Sequence, residues 1–293
     1  MTLARHAHAG MNMRMPSLPS ADNRLALLID AALAGARAVM GVYRTDFSVE
    51  RKVDDTPVSE ADRSSERAIA GVLSAAMPEL PIIAEEAFSA GERPKVGAAF
   101  MLVDPLDGTK EFISRNGEFT VNIAIIEDGM PRAGVVLAPA LSLAYAGSTA
   151  GAFRGTIAAD LDSIEGWSKI STRRAVEHPV AVASRSHMNP ATATALAQAA
   201  CGEHRSIGSS LKFCLVAEGE ADFYPRLGPT MEWDTAAGDA VLRSAGGAVV
   251  TLDGKPLRYG KATVEKMRPF ENPYFLAAGD ASLLARLDLV ALG

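Results

Sequence analysis

Between Pro81 and Ala146 the chain repeats one pattern five times: a short apolar run closed by turn residues. The runs are Pro81–Ala84, Ala98–Val103, Thr120–Glu127, Ala133–Leu137 and Ser142–Ala146. Short apolar runs punctuated by Gly or Pro read as strands, and Glu127-Asp128-Gly129 supplies a hairpin turn between the third and fourth. Two helices precede them. Leu25, Leu28, Ala32, Ala36 and Val39 recur at three and four, which predicts a helix starting near Asp22. A second helix runs from Glu60 to Met77, with Ala61, Ser65, Ile69, Val72 and Ala76 on one face. Ser59 and Asp62 fit a capping box at its start, and Pro78 and Pro81 stop it. The first half is therefore expected to be two helices on a largely antiparallel sheet.

The second half alternates. Strands are expected at Val180–Ser184, Ala221–Tyr224, Ala248–Thr251 and Tyr274–Ala277, and helices at Ala191–Ala200, Ser209–Glu218, Asp234–Ser244 and Ala281–Leu289. Alternation of this kind argues for an α/β layer beside the α+β layer. The polar stretch Gly155–Ser171 reads as the seam, so that residues 21–155 and 156–293 form two halves of one catalytic unit.

Composition limits the partners. Lys plus Arg is 29 and Asp plus Glu is 35, a formal net charge of −6. That sign gives no diffuse attraction to nucleic-acid polymers or anionic lipid. The two cysteines, Cys201 and Cys214, form no CxxC pair, so neither a disulfide framework nor a zinc site is expected, and a reducing cytoplasm suits the chain. The most apolar stretch, Ala133–Gly147, contains Pro139 and Ser142 and falls short of the roughly 20 residues of a membrane span. Residues 1–20, with His6, His8, Met11, Met13 and Met15 but no apolar h-region, read as a flexible extension or misassigned start rather than a signal peptide.

The chemistry concentrates in Asp104-Pro105-Leu106-Asp107-Gly108-Thr109, directly after an apolar strand. The strand delivers Asp104 to the sheet edge and Pro105 forces a turn, so Asp107 can return to the same side. Gly108 leaves room for a phosphate oxygen to approach the backbone amides. A lone Asp-Gly pair would read as a solvated turn; this six-residue string at a strand end reads as a site. Two carboxylates and the carbonyl of Leu106 are hard oxygen ligands, suited to Mg²⁺ rather than zinc. Glu85, at another strand end, and Asp234, followed by small residues at a helix start, extend the acidic set; a solvated pair and an N-cap are their bland alternatives. Together Glu85, Asp104, Asp107 and Asp234 would hold two or three Mg²⁺ ions, which draw in an anionic phosphate, activate a water and stabilise the leaving oxygen. Thr109, with Asp62 behind it, would orient that water. Phosphoaspartate chemistry is set aside because it uses D-x-D-G-T, one residue shorter than the spacing here.

Glu85-Glu86, Asp104–Thr109 and Trp233-Asp234-Thr235-Ala236-Ala237-Gly238 resemble, in order, the E-E, D-P-x-D-G-T and W-D-x-A-A-G signatures of the inositol monophosphatase superfamily. The resemblance runs from about Ala21 to the C-terminus. Longer strings, among them Lys110–Ile113, Asn116–Ala124, Ser184–His187, Ile207–Gly219 and Tyr224–Arg226, resemble bacterial 3′(2′),5′-bisphosphate nucleotidases of the CysQ type. This implies a layered α-β-α-β-α sandwich and Mg²⁺-dependent, Li⁺-sensitive hydrolysis of the 3′-phosphate of adenosine 3′,5′-bisphosphate, or its sulfated relative, in sulfate assimilation. By motif position Glu85, Asp104, Leu106, Asp107 and Asp234 carry over as metal ligands, and Leu106, Asp107, Gly108 and Thr109, with Glu85 and Asp234, as substrate contacts. Asp62 falls where the family pairs an acid with the motif threonine. Some relatives are credited with peripheral attachment to the inner membrane, for which this chain offers no basic amphipathic helix.

Lys212 and Arg226 lie in the strings peculiar to the nucleotidases, and are candidates for the non-reacting 5′-phosphate; His187 is a candidate for the adenine or ribose. Inositol-phosphate or fructose-bisphosphate hydrolysis on the same metals is the alternative activity. A non-catalytic, metal-stabilised binding protein is the remote one.

Overall fold

The computed structural model describes residues 23–45, 49–51, 57–183, 189–263 and 267–292. The N-terminal extension, the side chain of Ser59 and His187 lie outside the described residues. Helices α1 (Asn23–Tyr43) and α2 (Glu60–Ala76) flank a two-stranded ribbon, β1 (Val49–Arg51) and β2 (Pro57–Ser59). A seven-stranded sheet follows in sequence order: β3 (Ile82–Ala84), β4 (Ala99–Asp107), β5 (Thr120–Glu127), β6 (Met130–Ala138), β7 (Leu143–Ser148), β8 (Gly151–Ile157) and β9 (Ile164–Ile170). Only β3–β4 is parallel in it. Asp128 and Gly129, with φ of 51° and 73°, make the expected β5–β6 turn. Short helices α3 (Glu85–Ser89) and α4 (Thr109–Ile113) follow β3 and β4.

The second sheet has the order β11-β10-β12-β14-β13, built from β10 (Val180–Ala183), β11 (Glu203–Ser206), β12 (Phe223–Arg226), β13 (Ala248–Thr251) and β14 (Phe275–Ala278). Helices α5 (Pro190–Gln198), α6 (Leu211–Ala217), α7 (Glu232–Ser244) and α8 (Ala281–Leu284) complete it. Strand alternation sorts the core into layers. Val121, Ile123 and Ile125 of β5 face α1 and α2, whereas Ala124 and Ile126 face α6 and α7. The second sheet turns Tyr224, Phe275 and Ala277 toward α6 and α7, and Phe223, Leu276 and Ala278 toward α5 and α8. The result is the expected α-β-α-β-α sandwich, with α6 and α7 as its middle layer.

The middle layer sits close to the first sheet. A Cβ on Gly147 would fall 2.6 Å from Val241 Cα, so α7 lies directly on bare backbone there. Two expectations need correction. Gly155–Ser171 is no linker: it holds the end of β8 and all of β9, and the chain crosses to the second sheet only after Ile170. Its polar composition comes from β9 being an edge strand, with Trp167 turned inward and most of its neighbours exposed. Ala133–Gly147, too short for a span, is not the stretch to weigh: among the described residues one helix, α1, is long and apolar enough to cross a membrane. In the fold α1 is a core helix, with Leu28, Ala31, Ala32, Ala36 and Val39 fully buried.

Candidate active site

Alternation along β4 places Phe100, Leu102 and Asp104 on the face toward α7, and Asp104 is 1% exposed. The ladder with β5 is interrupted between Asp104 and Asp107, at Pro105 and Leu106. Ser65 of α2 pins this turn by donating its hydroxyl to the Pro105 carbonyl at 2.9 Å, and the Leu106 N–H donates to Asp104 Oδ1 at 3.0 Å. Asp107 resumes the ladder opposite Thr120. Gly108 then turns the chain into α4 with φ of 92°, a left-handed conformation that favours glycine. Thr109, half-buried, is the first residue of that helix. Leu106 buries its side chain on the α1/α2 side.

Glu85 opens α3 at the end of β3, and no side chain of the N-cap residue Ala84 caps the helix. Glu66, one layer away on α2, supplies the acceptors instead: its two carboxylate oxygens take the N–H groups of Glu86 and Ala87 at 2.8 Å each. Asp234 is the third residue of α7 rather than its start, and its Oδ2 accepts the Met231 N–H at 2.8 Å. It reaches back to the helix N-terminus as the last member of a capping box does. The small residues that follow, Ala236, Ala237 and Gly238, are buried in the middle layer.

One carboxylate oxygen from each of Glu85, Asp104 and Asp234 lies within 4.8 Å of the other two. Burial pushes the Asp104 carboxyl well above the usual range, and the charges of Glu85, Asp107, Asp234 and Asp62 add to it. Asp234 is likewise driven well up by burial, then by Asp107 and Glu85. Burial also raises Asp107, with Lys212 and hydrogen bonds from Ser210 pulling it back. Asp62 is buried in the first turn of α2, close enough to act on Asp104.

A cleft of ≈ 620 Å³ opens over this cluster, a normal size for a small-molecule site. Glu85, Asp107, Gly108, Thr109, Lys212, Arg226 and Asp234 all line it. Lys212 is no solvated surface charge: it is 6% exposed, and its ammonium donates to the carbonyls of Ser209 at 2.5 Å and Ile207 at 3.3 Å. Burial pushes that ammonium down to about 8, with Asp107 pulling it up and Arg226 pushing it further down. Arg226 donates to the Pro229 carbonyl at 2.6 Å.

Several residues that shape this cleft carry no signal in the sequence. Glu66 lies nineteen positions before the Glu85 it supports. Asn122 and Ser210 stand in the nucleotidase-like strings without any assigned task. Arg93 and Arg268 add positive charge to the rim from loops remote in the chain.

A model of the inositol monophosphatase family matches residues 20–283. The 3′(2′),5′-bisphosphate nucleotidase CysQ of Shigella flexneri is 45% identical over 76% of this chain and 88% of its own length. That of Salmonella typhimurium is 46% identical over the same shares. Among solved structures, CysQ from Bacteroides thetaiotaomicron superposes with a TM-score of 0.70 at 36% identity, covering 87% of this chain and 96% of that one. An inositol monophosphatase from Thermotoga maritima, 24% identical, shares the fold with a TM-score of 0.69 over 93% and 100% of the two chains. The acids that converge beneath the cleft are the ones that stand in the three signature strings, and on this combined ground the chain belongs to the inositol monophosphatase family.

Proposed function

We propose that this protein is a 3′(2′),5′-bisphosphate nucleotidase, a phosphoric monoester hydrolase that removes the 3′-phosphate of adenosine 3′,5′-bisphosphate. The observation that carries the reading is the pairing of opposite charges in one cleft. Convergent carboxylates lie beneath it, and Lys212 and Arg226 line the same cleft. A substrate with one phosphate needs only the acidic, metal-loaded end. A substrate with two finds a second, cationic seat, and the likeness to the curated nucleotidases favours the nucleotide over a sugar bisphosphate.

The donor set fits a hard divalent cation. Its side chains offer carboxylate oxygens, and each of Asp104, Asp107 and Asp234 is held above its ordinary range by burial and by like charge. A divalent cation reverses that destabilisation. Glu85, Asp104, Asp107 and Asp234, with the carbonyl of Leu106, would hold two or three Mg²⁺ ions. When bound, such ions neutralise the phosphate, activate a water and stabilise the leaving oxygen. Thr109, backed by Asp62, orients the attacking water, and the backbone around Gly108 and Thr109 meets the scissile phosphate. Lys212 and Arg226 hold the 5′-phosphate. His187 is assigned to the adenine or ribose. The Cys201 and Cys214 thiols are both free, which suits cytoplasmic residence.

The test is phosphate release from adenosine 3′,5′-bisphosphate, inositol 1-phosphate and fructose 1,6-bisphosphate, side by side with Mg²⁺ and with added Li⁺. The nucleotide is expected to lead in kcat/KM by about a hundredfold, some 2.7 kcal/mol of transition-state discrimination, with Li⁺ suppressing turnover. Equal or reversed preference would leave the metal chemistry standing and refute the substrate.

A further inference from the structure

We infer that Asn122 is a positioning residue, which acts with Ser210 to tie the Asp107 carboxylate on the first sheet to the backbone of Asp234 on α7. The inference rests on the metal reading of the acidic cluster given above.

Asn122 is fully buried on β5, directly opposite Asp104 in the antiparallel ladder. Facing residues of such a pair project from the same side of the sheet, so its amide lies beside the acids. Its Nδ2 donates to Ser210 Oγ at 3.1 Å and approaches Asp107 Oδ2 at 3.5 Å, the outer limit of a hydrogen bond. Ser210 Oγ passes the connection on, donating to the carbonyl of Asp234 at 2.6 Å. The direction of the amide follows from this. The single hydroxyl proton of Ser210 is shared between two acceptors, the Asp234 carbonyl and the Asp107 carboxylate, so Ser210 can only accept from Asn122, and Nδ2 must be the group facing it. Asn122 Oδ1 finds no hydrogen-bond partner among the described residues. A buried amide with an unmet acceptor is a poor choice for packing alone, since an apolar side chain would leave nothing unsatisfied.

The strut has firm ends. The Gly208 N–H donates to Glu118 Oε2 at 2.9 Å, and the Lys212 ammonium holds the carbonyls of Ile207 and Ser209. A Cβ on Gly208 would fall 2.6 Å from the Glu118 carbonyl, so the loop carrying Ser210 lies hard against β5's approach. The other end is a central strand of a seven-stranded sheet. Asp107 and Asp234 come from opposite sides of the layer boundary, and Asn122 and Ser210, bonded to each other and both facing Asp107, join it to Asp234 by polar contacts. Groups that orient metal ligands without touching the metal shift affinity or activity by about 10- to 100-fold when removed.

The full chain, stripped of metal, is titrated with Mn²⁺ by calorimetry, and phosphate release is followed against Mg²⁺ concentration. Asn122→Ala and Ser210→Ala are each expected to weaken Mn²⁺ binding about tenfold, with the double variant no weaker than the worse single one, because both act along one route. Ser210→Thr, which keeps the hydroxyl, should retain native affinity. The melting temperature of each metal-free variant separates positioning from folding. Variants that melt lower but bind Mn²⁺ within twofold of the native chain would overturn the inference while leaving the metal reading intact. A native chain that takes up no Mn²⁺ would overturn both. Should Asn122→Ala fail to fold, Ser210→Ala alone decides, by the same twofold threshold.

Discussion

Replacing Lys212 by methionine removes one buried positive charge from the cleft wall while keeping the length of the side chain. The ammonium carries three donors, and two are engaged by the carbonyls of Ser209 and Ile207, so one remains for a ligand. A hydrogen bond to a charged partner in a protected site contributes about 1.5–3 kcal/mol, which converts to roughly 10- to 150-fold in kcat/KM. Lys212→Met is therefore expected to lower kcat/KM for adenosine 3′,5′-bisphosphate by that factor. Adenosine 3′-monophosphate, which has the same scissile group and no 5′-phosphate, should change by less than about threefold on the same scale. The pH dependence gives an independent check. Burial pushes the Lys212 ammonium down to about 8, so the free enzyme loses this charge as pH rises past that value. Preference for the bisphosphate should then decay by up to about tenfold per pH unit. Lys212→Arg, whose guanidinium stays charged, should abolish the decay. The sign for stability is opposite. Between about 8 and the ordinary 10.5 the unfolded chain binds the extra proton, so native stability rises with pH across that window and Lys212→Met removes the rise. Initial rates on both nucleotides from pH 7 to 10, with urea melts at the same pH values, measure all of this. Equal losses on the two substrates, or a native preference flat across pH 8, would refute the assignment of Lys212 to the 5′-phosphate.

Asp104→Asn should abolish phosphate release yet raise the melting temperature of the metal-free chain at pH 7. Its carboxyl is held well above the usual range in the fold, so its charge costs stability as pH rises through that raised value, and the amide carries none. Melts in EDTA and in Mg²⁺ check both parts, and a variant that melts below the native protein in EDTA would contradict the electrostatic account. Gly147→Val places a branched side chain where a Cβ would already stand 2.6 Å from Val241 Cα. It should cost about 3 kcal/mol or more by overpacking α7 against the sheet, read from the midpoint of urea unfolding.

The acids were legible because each stands in a short string whose local logic is visible: a strand end, a turn-forcing Pro105, a permissive Gly108. Strands β3 to β7 are legible for a related reason, since neighbours in the sheet are neighbours in the chain and their punctuation is local, whereas β8 carries no such signal. The boundary between the sheets was misplaced because an edge strand shows solvent on one face, and β9 therefore reads like a linker. The three-and-four spacing of its apolar residues marks helix α1, but the same apolar length also suits a membrane span, and only its burial in the fold identifies it as a core helix.

The supporting residues divide differently. Residue types and spacing alone determined that carboxylates gather at element ends and that oxygen ligands favour a hard cation, while the resemblance to the nucleotidases singled out Lys212 and Arg226. Only the tertiary structure decided that Glu66 holds the start of α3, that Asn122 stands opposite Asp104, and that Ser210 connects it to Asp234. The reason is physical: a ligand is marked by its immediate chain neighbours, whereas the group that orients it is chosen by whichever layer packs against it. That layer is set by burial across the whole sandwich, over separations the local pattern does not encode.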